Sequence, residues 1–458
     1  MLQATTPDML FDVQPRPCPR LKGWPIIGNI PGLMRSSYSF FEQMYAEYGD
    51  IYTLNLGLSQ IIVCNHPRHI QHVLLDNAQN YVKGGPLWSV LRDLIGNGLV
   101  TSEGDFWLRQ RRMMQPQFHK KRLEALASLM TSAIADELAS WSVPSDSSDM
   151  AHAFNQLTMR VIVRTMFGTA LSAAQMNEVA DAVPQALDYI MRGMLTSKLP
   201  SWIPDPKRRA FEQSIAVFDG AVYQMIDEQR HNPKKENHLL AMLLDVVDAE
   251  TGEGMTDQQL RDEAITIFLA GFETTSTALS WSVYYLSQHP DIQNKLEQEV
   301  DAVLGPRTPT FDDLPNLPYA RMVLQEAIRL RPSAWFGSRQ AVEDDVIDGY
   351  SIPAGSEVAT MTYMIHRHPE EWDNADQFIP ERFTPEASAK RHRWAWVPFG
   401  AGQRMCIGRE FALMEGQLAL AMMAQRFRPS AIEGYEPQLR LSTTFQTKSG
   451  LRVKLSER

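Results

Sequence analysis

"AITIFLAGFETTSTALSWSVYYLSQ", residues 264–288, is long enough to cross a bilayer and carries one charge, Glu273, in 25 residues. Whether it spans a membrane or lies inside a large globular fold decides what the rest of the chain must be. Eight of the 25 are Ser or Thr. The carboxylate falls near the middle, where hydrocarbon penalises charge most. No second stretch offers a companion span, so the segment reads as a helix buried in protein. Its start is marked by "TDQQ" at 256–259, a capping box in which Gln259 returns a bond to Thr256. It is expected to run to about His289, roughly 51 Å at helical rise. Gly271 lies beside Glu273, Thr274 and Thr275, so the helix is weakest, and most prone to bend, at its most polar point.

The chain around this helix has 458 residues, 44% of them hydrophobic, and a net charge of −10, which argues against nucleic acid as a partner. Residues 1 to about 35 read as an irregular proline-rich leading segment, and neither signal peptide nor transmembrane anchor is expected there. "DIYTLNLGLSQIIVCNHP" (50–67) alternates like a hairpin. From about 68 to 330 the pattern is helical, with loops expected at 143–149 and 200–209. Strand-like runs return at 346–365 and 439–455. Without repeats or a linker, the expectation is a single domain over 1–458, mainly α with small β-sheets and a long central helix. Cys18, Cys64 and Cys406 give no disulfide framework, which points to a reducing cytoplasm.

"PFGAGQRMCIG" (398–408) sets Cys406 between Gly400 and Gly402 on one side and Gly408 on the other, just ahead of an expected helix at 407–427. Free N–H groups at a helix N-terminus favour thiolate, and the glycines let the backbone come close to sulfur. Zinc would need further ligands, and the nearest histidine, His392, is 14 residues away. Iron–sulfur clusters usually need four cysteines. A buried structural thiol, a nucleophile and a single axial ligand to haem iron all remain open on these residues alone.

The loop resembles the haem-binding motif F-x-x-G-x-R-x-C-x-G of the cytochrome P-450 monooxygenases, matching at Phe399, Gly402, Arg404, Cys406 and Gly408. Four more stretches are similar to that family in order and spacing: "FWLRQRR" (106–112), "AGFETT" (270–275), "EAIR" (326–329) and "PERF" (380–383). The resemblance implies a mainly α cytochrome P-450-type fold and haem b, iron protoporphyrin IX, held by the Cys406 thiolate. It implies that Phe399 and Ala270 border the haem, and that Trp107, Arg111, Arg404 and Arg339 reach its propionates. Glu326, Arg329 and Arg382 are implied as a buried structural network. Thr274 and Glu273 are implied as the alcohol and acid that supply protons for oxygen activation.

The implied reaction uses O2 and electrons from outside to hydroxylate or epoxidise a terpenoid, fatty-acyl, steroid or polyketide-like molecule. A peroxide-using or coupling enzyme of the same fold, and a haem sensor without turnover, are the alternatives. Pocket walls are expected from Trp88, Leu91, Phe268, Trp335, Phe336 and Phe445. With no fused reductase signature, the partner is expected to be a ferredoxin or flavodoxin with its NAD(P)H-dependent reductase. The basic stretch Arg109, Arg111, Arg112, Lys120, Lys121 and Arg122 would attract it. The chain is expected to be a monomer, and "MLTSKLPSWIP" (194–204) to form a lid.

Overall fold

Asp257–Gln288 is one unbroken α-helix, about 48 Å long at 1.5 Å per residue. The capping box is present: the Gln259 N–H donates to Thr256 Oγ1 (3.2 Å), and the Thr256 N–H donates to Gln259 Oε1 (2.8 Å). The computed structural model describes residues 15–168, 172–196, 205–231, 238–440 and 442–458.

The helix is buried on nearly every face because Met150–Phe167, Arg208–His231, Pro318–Leu330 and Arg409–Arg426 all pack on it. Its hydroxyls tolerate this burial by bonding carbonyls. Thr277 donates to Glu273 O (2.9 Å), Ser282 to Ala278 O (2.7 Å), and Ser280 to Ser276 O (2.7 Å) and Met150 O (3.1 Å). Gly271 lets Ile162 pack close: a Cβ there would lie 2.6 Å from Ile162 Cδ1, and that side chain would have to shift. Among the described residues no helix is long and apolar enough to cross a membrane.

A five-stranded sheet stands at one side, in the order Ile51–Leu56, Ser59–Cys64, Glu357–Thr360, Gly337–Ala341, Tyr81–Val82. The first two strands form the expected hairpin, with Ile51 opposite Cys64. Gly337–Ala341 pairs antiparallel with Glu357–Thr360 and sets Arg339 opposite Val358. This sheet carries Arg339 to the site.

One loop expectation fails. Ser145–Asp149 is a strand, pairing antiparallel with Arg452–Glu457. Its polar run gives no strand signal, and the partner is some three hundred residues away in sequence. Asp149 then caps the next helix, accepting from the Ala151 N–H at 3.1 Å. The expected lid at 194–204 lies, from 197 onward, outside the described residues, as do residues 1–14 of the leading segment.

Two of the four apolar clusters among the described residues make up most of the interior. One surrounds the central helix, and the other gathers Tyr38, Phe41, Trp281, Trp335, Tyr363 and Phe445 behind the helix Ile30–Tyr48. All three cysteines are free thiols.

Candidate active site

Between the central helix and the 398–412 segment lies a cavity of about 370 Å³. Helical periodicity turns Thr266, Ile267, Ala270, Gly271, Thr274 and Ala278 toward it. Phe399, Gly400, Cys406 and Gly408 face them from the other side.

The Cys406 backbone N–H donates to Phe399 O (2.8 Å), which closes the loop and leaves Sγ open to the cavity. Enclosure by protein pushes the thiol pKa up. The Gly408 amide, Arg111 and Arg409 pull in the opposite direction. The helix that favours the thiolate is Arg409–Arg426, capped by Gly408. Gly402 does something other than approach sulfur: at φ +66° it packs on the carbonyl of Leu74, where a Cβ would collide.

Cations collect at one end of the cavity. Arg111, Arg339, Arg404 and Lys83 all line it. Arg404 lies over the Trp107 ring at 3.7 Å, pairs with Glu103, and donates to Ser102 O at 2.9 Å. Arg111 donates to Met405 O at 2.9 Å, tying the 104–114 helix to the cysteine loop. Lys83 is buried, donates to Val100 O (2.6 Å), and stands 5.3 Å from the Trp88 ring centre. Burial, reinforced by Arg404 and Arg339, drives the Lys83 pKa well down. Burial likewise lowers Arg339 to about 10, with Arg404 adding to the effect and Glu103 opposing it.

Four cations against the single carboxylate Glu103 is an unfavourable arrangement by itself. A dianionic ligand at this end would relieve it. One thiol, an apolar wall and this cationic end together fit a thiolate-bound haem. Cys406 would hold the iron. Arg111, Arg339, Arg404 and Lys83, with Trp107 behind Arg404, would hold the propionates. Lys83 has no motif around it, and only the fold brings it here.

Thr274 lines the cavity, its hydroxyl donating to Ala270 O at 2.6 Å. Glu273 does not reach the wall. It is buried, and its Oε1 accepts from Thr444 Oγ1 (2.8 Å) and Gln446 Nε2 (2.5 Å) of the C-terminal loop. One residue of helix, about 100° of rotation, separates the two directions.

Of the expected substrate contacts, Trp88 lines the cavity. Leu91 packs into the main core. Phe268 turns to the opposite helix face, 5.2 Å from Phe272. Trp335 donates its indole N–H to Ser442 O (2.8 Å) and meets Tyr38 edge-on at 5.1 Å. Phe336 packs on Trp335, and Phe445 stacks on Tyr38 at 3.9 Å. These last three fill the second core because large rings bury more apolar area there. The wall is left to the smaller Ser333 and Ala334 beside them.

The structural network is assembled. Arg329 and Glu326 are both fully buried and joined at 2.7 and 2.9 Å. Arg382 Nε stands 3.4 Å from Glu326 Oε1. Arg329 also donates to the carbonyls of His366 (2.9 Å), Ala375 (2.7 Å) and Gln377 (3.1 Å). His366, held neutral by burial, accepts from the Val397 N–H at 2.9 Å, one residue before the cysteine loop.

The basic stretch is smaller than the sequence suggests. Arg109 pairs with Glu253 (3.2 Å), Arg112 with Asp248 and Glu250 (both 2.6 Å), and Arg111 faces the cavity. Lys120, Lys121 and Arg122 stay exposed. The acids that neutralise the others come from 248–253, remote in sequence.

This fold and site define a protein built to hold one thiolate-ligated planar cofactor beneath a buried helix. A profile of the cytochrome P450 family matches residues 17–455, and the chain belongs to that family. It is 34% identical to cyclooctatin synthase of Streptomyces melanosporofaciens, over 92% of each chain. It is 31% identical to pentalenene oxygenase of Streptomyces avermitilis, over 95% of this chain and 96% of that one. The crystal structure of the cytochrome P450DA heme domain superposes with a TM-score of 0.89 at 27% identity, covering 97% of this chain and 98% of the other. The protein is an oxidoreductase of the monooxygenase class that binds protoporphyrin IX haem. Its class uses O2, hydrophobic substrates and redox partners.

Proposed function

We propose that this enzyme hydroxylates or epoxidises a polycyclic terpenoid, with electrons delivered singly by a ferredoxin or flavodoxin and its NAD(P)H-dependent reductase. The observation that carries this is the polarity of the cavity. Its charged groups gather at the propionate end, and the remainder is mostly apolar (Ile162, Met166, Ile267, Ala270, Ala334), with only the hydroxyls of Thr266, Thr274, Thr275 and Ser333 among it. A hydrocarbon skeleton gains roughly 25 cal/mol per Å2 buried there, whereas a charged substrate would find no partner. The relatives named for oxygenating pentalenene and cyclooctat-9-en-7-ol support the same substrate class.

Held by Cys406, the haem would supply the oxygen-activating chemistry, which thiolate ligation favours. The chain's own part is orientation, exclusion of water and proton supply. Thr274 is the alcohol at the wall. Glu273 stands one residue behind it, held by Thr444 and Gln446, and is the acid from which the alcohol is resupplied.

Electron delivery is assigned to the face bearing Lys120, Lys121 and Arg122, at the start of the helix Lys120–Ala139. Cations at a helix N-terminus oppose the dipole and cost about 0.3–1 kcal/mol each, so they do not serve the helix. Charge attraction to an acidic partner is their use. Ferredoxin-supported turnover should fall as salt rises and in Lys121→Glu; indifference to both would remove this assignment. The substrate is tested by screening terpenoids for a spin-state shift of the ferric haem. Shifts only with charged or strongly polar compounds would overturn the class.

A further inference from the structure

A second cleft, of about 570 Å³, opens beside the helix Ile30–Tyr48, away from the haem cavity. Three cations line it: Arg35, Arg331 and Lys448. Its one acid is Glu42, which already accepts from the Tyr363 hydroxyl at 2.5 Å. Among the described residues, no carboxylate comes within 4.0 Å of any of the three cations. Neighbouring arginines outside the cleft are paired: Arg367 with Asp376 at 3.2 Å and Arg440 with Asp188 at 3.2 Å.

Arg331 is the most telling. Its guanidinium lies 5.1 Å from the Trp281 ring centre and 5.3 Å from that of Phe445. Nη1 donates to Leu330 O at 3.1 Å, and Nε is shielded from solvent with no hydrogen-bond partner. Glu42 and Asp376 attract it only from beyond contact distance, so no carboxylate fixes the orientation of the guanidinium. The two ring planes cross at 80°, so the guanidinium sits in an aromatic corner, and its planar fork is suited to an oxyanion.

We propose that this cleft binds a small organic oxyanion, a carboxylate or a phosphate monoester. Arg331 is the anchor, Arg35 and Lys448 are the exposed cations at the mouth, and Leu439 in the lining is the apolar side chain for the organic body. The volume exceeds what a bare ion needs, and half-buried Leu439 offers apolar area that an inorganic anion would not use. The site does not rest on the reading of the haem cavity. It does share a segment with it: Ser333, two residues past Arg331, donates to Thr274 O at 2.7 Å.

The test is calorimetric titration of the haem-loaded full chain with phenyl phosphate, benzoate, inorganic phosphate and neutral phenol. Saturable binding of phenyl phosphate or benzoate, with a dissociation constant of about 1 mM or tighter and no heat from phenol, is expected. The stronger of the two names the oxyanion. Inorganic phosphate binding as tightly as phenyl phosphate would overturn the requirement for an organic body. The double variant Arg35→Gln/Lys448→Gln, at exposed positions, should fold normally and bind at least about tenfold more weakly. Arg331→Gln should abolish binding. Silence from all four probes, or binding that the double variant leaves unchanged, would overturn the proposal.

Discussion

Replacing Glu326 by Gln keeps the shape of the side chain and removes its charge. Glu326 has no exposed surface, and it accepts from Arg329 twice, from the Ile379 N–H at 2.9 Å, and stands 3.4 Å from Arg382. The substitution leaves Arg329 buried without a counter-charge, a loss of about 3–5 kcal/mol. With an unfolding entropy of about 2.1 cal/mol/K per residue, a chain of this length loses roughly 1 °C of Tm per kcal/mol, so the drop should be about 3–5 °C. The effect should also reach the haem loop, because Arg329 holds the carbonyl of His366 and His366 holds the N–H of Val397. Thermal unfolding, together with the haem-to-polypeptide ratio of the purified variant, measures both. The double variant Glu326→Leu/Arg329→Met should be less destabilised than the sum of the singles, since it leaves no orphan charge. A Tm change below about 1 °C with full haem loading in Glu326→Gln would refute the reasoning.

Thr274→Ala should consume reducing equivalents at a near-normal rate while releasing peroxide in place of product; product and cofactor consumption measured together decide this. Cys406→Ser should lose the thiolate-type carbon-monoxide spectrum of the reduced protein, whereas an unchanged spectrum would exclude Cys406 as ligand. Gly402→Ala forces a φ of +66° on a β-carbon and drives it into the Leu74 carbonyl, so haem occupancy and Tm should both fall, with at least about 1–3 kcal/mol from the backbone alone. Arg112 beside Asp248 holds that carboxyl down to about 2, against an ordinary value of 3.8. The folded pKa is the lower one, so the stabilisation is present above about pH 4 and is lost as pH falls through 2. Asp248→Asn should therefore lower Tm at neutral pH, with the difference from the unmodified chain closing by pH 2.

The role of Cys406 was read from the likeness of "PFGAGQRMCIG" to a family motif, since its own neighbours left a structural thiol, a nucleophile and a haem ligand all open. The long helix was legible from its cap and its hydroxyl-rich interior. The triad of Glu326, Arg329 and Arg382 was found by family likeness, since nothing in "EAIR" announces that both its charges have no exposed surface. Lys83 was missed, because a lone lysine carries no signal. The direction of Glu273 was also missed, because it depends on Thr444 and Gln446, far along the chain. The expected basic face was overstated for the same reason: its neutralising acids come from elsewhere in sequence.

Sequence alone determined the helical class, the central helix and its ends, the hairpin, and the loop that presents the thiol. These follow from local periodicity, capping and residue chemistry, which act over a few neighbours. Tertiary structure decided which aromatic rings became core and which positions were left as cavity wall. It also decided which arginines kept an unpaired charge and that Ser145–Asp149 became a strand. Each of those outcomes is a competition for buried area or for a counter-charge between groups distant in sequence, and it is settled only when the chain brings them together.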